Sequence, residues 1–134
     1  MYTAGSSPIP VIDYHGWRFS LAVCYDLRFP TWLRNRGLAY DCLIVPASWP
    51  EARAYAWHHL LAVRALENQA YVVGGNRTGS DPYGEYPITG VAVYDHWGRP
   101  VSTAADGKGP VTALLDAAKL ERDRQRFPVW ADAD

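Results

Sequence analysis

The sequence predicts an α/β fold with a parallel sheet at its core. Short continuous apolar runs suit strands buried on both faces, a long Ala-, Leu-, Arg- and Glu-rich segment of helical period lies between two of them, and Gly, Pro and Asn mark the junctions. At 134 residues the chain is expected to form one domain, residues 1–134. A hydrophobic content of 49% against 20% charged residues excludes a disordered chain. The formal net charge is −1, and basic residues are spread along the sequence, so no electrostatic footprint for nucleic acid or an anionic membrane is present. The apolar runs are too short to span a bilayer and no signal-peptide pattern opens the chain, which makes a cytoplasmic address the default expectation.

Taken in order, residues 2–10 hold Gly5, Ser6, Ser7, Pro8 and Pro10 and read as a loop. Residues 11–14 and 17–21 read as a hairpin turning at His15-Gly16, its second strand becoming continuously apolar at Leu21 and delivering Cys24. A short helix is expected from about residue 30 to 36, with Pro30 in its first turn and Gly37 as its C-cap. Residues 41–46 form the next buried strand, residues 52–69 a long helix, and residues 71–75 a third strand, so the alternation is βαβαβ. Residues 76–86, rich in Gly, Asp and Pro, read as a loop. Residues 91–95, 100–102 and 111–115 suggest an antiparallel meander turning at His96-Trp97-Gly98. A charged helix over 117–126 precedes the apolar tail Phe127-Pro128-Val129-Trp130.

Cys24 is the candidate nucleophile because it ends a buried strand at a turn into a helix start. In open α/β sheets that is where ligands gather, and the first amides of a helix have no internal partner. Cys42 lies within its strand and reads as core. No Cys or His spacing suggests a metal, and reduced thiols are expected. A free thiol of ordinary pKa, about 8.5, is only a few per cent ionised at neutral pH, so it needs a base or a cationic neighbour.

Four motifs then appear in order: Val23-Cys24-Tyr25-Asp26-Leu27-Arg28-Phe29-Pro30, Val45-Pro46-Ala47-Ser48-Trp49-Pro50, residues 60–72 around Arg64-Ala65-Leu66-Glu67-Asn68-Gln69, and Asn76-Arg77-Thr78-Gly79. With the closing Arg126-Phe127-Pro128-Val129-Trp130, they resemble the nitrilase superfamily of carbon-nitrogen hydrolases, and within it most closely the omega-amidase branch. The resemblance covers essentially the whole chain and implies the C-terminal half of an αββα sandwich, a mixed sheet with helices on one face. It implies an amidase that opens the terminal amide of a small dicarboxylic acid monoamide through a cysteine thioester, without a cofactor, and a homodimer in the full-length form. Cys24 matches the nucleophile and the Tyr25 amide the oxyanion donor. The family's glutamate base, its lysine and its supporting glutamate precede the cysteine in sequence, and no Glu or Lys lies between Met1 and Cys24; Lys108 and Lys119 are far downstream. The chain thus resembles a half domain that is nearly inert alone, or a non-catalytic module completed by a partner. Ala56, where the family usually has His, and Thr89-Gly90-Val91, where it usually has Gly-x-Ser, depart from the pattern.

Other residues carry two readings each. Trp49 walls an acyl pocket or simply packs. Arg28 meets a substrate carboxylate or, more commonly for such a turn, pairs with Asp26 or Glu67. Glu51 is a replacement base or, far more commonly, an exposed loop acid. His58 and His59 would serve a self-contained Cys-His hydrolase only if one of them reached Cys24.

Overall fold

The computed structural model describes residues 5, 7–86, 90–101 and 110–132. Val11–Tyr14 (β1) and Trp17–Leu21 (β2) pair antiparallel across a two-residue turn. His15 and Gly16 both take positive φ there, +48° and +79°, as a turn matching the strand twist requires. Cys42–Ala47 (β3) and Tyr71–Asn76 (β4) follow in parallel with β2, and Ala92–Tyr94 (β7) closes the sheet antiparallel to β4, giving the order β1-β2-β3-β4-β7. A separate hairpin joins Gly79–Asp81 (β5) to Gly84–Tyr86 (β6).

The connection from β3 to β4 is the helix Ala54–Asn68 (α1), entered through the 3-10 turn Glu51–Arg53. Trp57, Leu61 and Ala65 of α1 are fully buried against Leu43, Val45 and Val72. Burying each large apolar side chain is worth about 1.5–3 kcal/mol, so this face anchors the sheet. The contact is close enough that a Cβ at Gly74 would lie 2.4 Å from Leu61 Cδ1, so glycine is what lets α1 seat on β4. On the opposite face Cys42 and Tyr71 meet Leu120 of the second helix, Ala117–Arg126 (α2), with Trp17, Phe19, Ile44 and Val73 partly buried beside them.

Three segments differ from expectation. No helix forms over residues 30–36; the chain makes a single turn, closed by Leu33 N–H donating to the Phe29 carbonyl at 3.3 Å, and then the 3-10 turn Arg36–Leu38. The Asn35 N–H, which a helix would direct to the carbonyl four residues back, donates instead to Asn68 Oδ1 at 2.8 Å. The Asn35 side chain also bonds Tyr40 and the Asn68 carbonyl, so a buried polar clamp overrides local helix preference. Within residues 76–86 the β5–β6 hairpin replaces the expected loop; its strands are three residues each and too polar to betray alternation. In the meander, β7 forms and continues through Tyr94 to a bridge with Pro100, while residues 111–115 add only a single bridge position at Thr112. Ser102, Thr89 and Lys108 lie outside the described residues. In the apolar tail Phe127 stacks on Trp97 with ring centroids 6.2 Å apart, while Phe127, Val129 and Trp130 stay exposed.

Candidate active site

β2 ends at Leu21, Ala22 N–H holds the ladder with the Ile44 carbonyl at 3.1 Å, and Cys24 then opens the 3-10 turn Cys24–Arg28. Cys24 has φ +47°, a conformation that costs a non-glycine residue about 1–3 kcal/mol unless its surroundings enforce it. They do so from several sides. Asp26 N–H donates to the Val23 carbonyl at 2.9 Å, and Asp26 Oδ2 accepts the Val23 N–H at 2.9 Å. Leu27 beneath is fully buried, and its carbonyl accepts two bonds from the buried Arg64, from Nε at 3.1 Å and Nη2 at 2.9 Å. Glu67 holds the third nitrogen of Arg64 at 2.7 Å. Tyr25 is the second residue of this turn, so its N–H is among the first amides of a helical turn, which have no carbonyl one turn earlier to receive them.

The loop after β3 meets Cys24 from the side. Asn76, the last residue of β4, clamps it: Oδ1 accepts the Trp49 N–H at 2.6 Å and Nδ2 donates to the Trp49 carbonyl at 2.8 Å. Trp49 is buried against Trp57, and its indole N–H donates to the Arg53 carbonyl at 2.9 Å. Cys24, Tyr25, Arg28, Ser48, Trp49, Pro50 and Arg53 line a cavity of about 60 Å³. That is far below the roughly 300–1,000 Å³ of an ordinary small-molecule pocket. A larger concavity, about 750 Å³, lies elsewhere, over Ile9, Phe29, Trp32 and Arg34, and is not lined by a cysteine. We therefore place the candidate site at the smaller cavity.

Of the residues singled out from sequence, Cys24, Tyr25, Trp49 and Arg28 come together there. Arg28 differs from the commoner expectation. Among the described residues it pairs with neither Asp26 nor Glu67, and its guanidinium lies over the Trp49 ring, 4.8 Å from the centroid. Trp49 is buried in the core and also lines the cavity. Glu51 is exposed in the turn before α1. His58 Nδ1 bonds the Tyr94 hydroxyl, and His59 stacks on Tyr55 while donating to its carbonyl; neither lines the cavity. Lys119 sits on α2, 3.7 Å from Asp95, at the opposite end of the strands. The two thiols differ: burial pushes Cys42 up to about 12, whereas Cys24 is half-buried in the cavity wall. Sequence reading gave no role to Asn76, Arg53 or Arg64. Asn76 and Arg64 stood inside quoted motifs, but nothing local told which backbone groups they would reach.

The site is a cysteine in a strained turn at the carboxyl end of a parallel strand, supported from below by the helix-borne Arg64, in an α/β protein of nitrilase-like fold. The chain belongs to the carbon-nitrogen hydrolase family, whose model matches residues 1–125. It is similar to omega-amidase YafV of Escherichia coli K12, 42% identical over 134 residues that make up 99% of this chain and 52% of that relative. It is 33% identical to 2-oxoglutaramate amidase of Bacillus subtilis, over 98% of this chain and 51% of the relative. A CN-hydrolase superfamily protein from Xanthomonas campestris, solved with an arsenic adduct in its active site, superposes with a TM-score of 0.87 at 38% identity, over 99% of this chain and 52% of that one. The chain thus spans about half the length of the relatives it matches. Among the described residues no helix is long and apolar enough to cross a membrane.

Proposed function

We propose that this chain carries the nucleophilic half of an omega-amidase-type site, hydrolysing the terminal amide of a small dicarboxylic acid monoamide. The observation that carries the reading is Cys24 at φ +47° in a cavity wall at the strand end, in a chain 42% identical to an omega-amidase. Cys24 Sγ attacks the amide carbon, and the developing oxyanion faces the Tyr25 N–H. Collapse of that adduct breaks the C–N bond, the nitrogen leaves as ammonia after gaining a proton, and a thioester remains. Water then adds to the thioester, the C–S bond breaks, and the carboxylic acid leaves with the thiol restored. Trp49 walls the acyl group and Arg28 meets its far carboxylate.

A base and a cation are still needed, and no Glu or Lys precedes Cys24 in this sequence. In this reading they come from outside the 134 residues, and the small cavity is one wall of a larger pocket. A missing base lowers the rate by roughly 10²–10⁴ and a missing oxyanion donor by roughly 10²–10³, so the chain alone is nearly inert. The reading also includes a reducing, cytoplasmic compartment that keeps Cys24 a thiol, and pairing of two full-length copies. Exposed Tyr55, Val63 and Leu66 along α1 support the pairing, which light scattering of the purified protein checks.

The test is ammonia release from succinamate by the 134-residue chain and by the product of the gene read from further upstream, each with and without Cys24→Ala. Turnover by the longer product alone, abolished by Cys24→Ala, is expected. Strong turnover by the 134-residue chain would remove the need for outside residues, and no turnover by either would remove the amidase reading. A second reading, a non-catalytic module completed by a partner, is favoured by the sheet face carrying Phe19, Leu21, Ile44 and Val73, which α2 covers only at one end. Absence of turnover together with partner-dependent folding points to that reading, and turnover that survives Cys24→Ala would contradict both.

A further inference from the structure

Two arginines, Arg28 and Arg53, line the cavity that holds Cys24. Both are exposed, and among the described residues neither forms an ion pair. The neighbouring acids are engaged otherwise. Asp26 accepts the Val23 N–H, Glu67 holds Arg64, and Asp81 on β5 holds Arg77 at 2.7 Å and the Tyr86 hydroxyl at 3.0 Å. Glu51 shares the 3-10 turn with Arg53 and pairs with neither arginine among the described residues. One indole touches the Arg28 guanidinium and the Arg53 backbone. Arg28 lies over the face of Trp49, whose ring N–H donates to the Arg53 carbonyl at 2.9 Å, and Arg53 N–H closes the turn onto the Pro50 carbonyl at 3.0 Å.

We propose that Arg53 is a specificity-determining residue, forming with Arg28 a two-guanidinium anion subsite beside Cys24 that selects amides whose far end is a carboxylate. The inference rests on Cys24 as the nucleophile and adds the residue that chooses its substrate. Arginine suits the task because its planar fork meets a carboxylate through two parallel N–H donors, which a lysine cannot do. Two positive charges beside the thiol also raise the local concentration of anionic partners, an effect that weakens as salt shortens the screening length.

Labelling kinetics of the thiol test this without requiring turnover. Cys24 is reacted with the anionic reagent 2-sulfonatoethyl methanethiosulfonate and with uncharged methyl methanethiosulfonate, and the ratio of the two rates is compared among variants. Arg53→Gln should lower the anionic-to-neutral ratio about threefold or more at low ionic strength, as loss of one charge at several ångströms implies, and the difference should shrink in 1 M salt. Arg53→Lys should retain most of the ratio for a small anion but weaken protection of Cys24 by succinamate, which depends on the fork. Arg36→Gln, remote from this cavity, is the control for net charge. An unchanged ratio in Arg53→Gln, or an equal fall in Arg36→Gln, overturns the subsite while leaving the nucleophile intact. Failure of both reagents to label Cys24 in the folded protein overturns the subsite together with the reading it rests on.

Discussion

At the amino ends of β3 and β4, Asp41 is gripped by Arg18 and by Arg124, each at 2.7 Å, and Arg124 directs its other donors to the carbonyls of Gln69 and Tyr40. At the carboxyl ends, Arg28 and Arg53 stand around Cys24 with no carboxylate partner among the described residues. One end matches its charges and joins α2 to the sheet. The other leaves cations unmatched and holds a cysteine in a strained turn. The difference teaches where each kind of residue is committed: matched charges at the amino end serve stability, and unmatched ones at the carboxyl end are available to a ligand.

The largest effect is expected at the matched end. Arg124→Met leaves the Asp41 carboxylate half-paired and removes the Arg124 donors from the Gln69 and Tyr40 carbonyls, of which Tyr40 keeps its bond from Asn35, and should lower stability by about 3–5 kcal/mol in urea unfolding. Cys24 labelling in the folded fraction should be unaffected, because the two ends are built separately. Arg64→Met comes next, at about 2–3 kcal/mol for two charge-assisted bonds to the Leu27 carbonyl. Unlike Arg124→Met, it should also change the Cys24 labelling rate, since Arg64 supports the turn from below. Gly74→Ala tests the packing shared by both ends. Its Cβ would meet Leu61 and Trp57, and about 1–3 kcal/mol of overpacking is expected by the same unfolding measurement.

A smaller effect depends on pH. Burial alone would raise the Asp41 carboxyl, but hydrogen bonds from Arg18 and Arg124 outweigh it and hold the group below the usual carboxylate range. Asp123 is lowered as well, chiefly by its bond to His96. A carboxyl depressed in the folded state stabilises fully above its unfolded value, about 3.9, and loses that contribution as pH falls through the folded value. Stability measured between pH 5 and 2 should therefore decline less steeply in Asp41→Asn than in the parent, although Asp41→Asn is the less stable protein at pH 7. The smallest effect is expected for Glu51→Gln: a shift within about 0.5 kcal/mol in unfolding and no change in Cys24 labelling, as befits an exposed side chain without an ion pair among the described residues.

Much of this architecture was legible in the sequence. The β1–β2 hairpin and α2 lie where periodicity and turn residues put them, and β3, β4 and α1 agree to within one or two residues. Cys24 could be placed at a strand end because Leu21-Ala22-Val23 is apolar and Asp26 to Pro30 is not. The failures share a cause. Residues 30–36 have a helical start signal, yet Asn35 bonds Asn68, 33 residues away, and no local rule anticipates that. β5 and β6 are too short and polar to show a period. Arg53 carries no local signal; its turn lies beside Cys24 because Asn76 fixes the Trp49 backbone and the Trp49 indole bonds the Arg53 carbonyl. Side chains acting on distant backbone groups were invisible, whereas those acting through local pattern were not.

The two cysteines offer the most direct measurement of the contrast, since Cys24 lies at the carboxyl end and Cys42 at the amino end. The native protein is treated with iodoacetamide near pH 7.5, and the modified residues are located by peptide mass mapping over time. One equivalent of label at Cys24, with Cys42 modified only after denaturant is added, is the predicted result. Modification of Cys42 in the folded protein at a rate equal to or above that of Cys24 would contradict it.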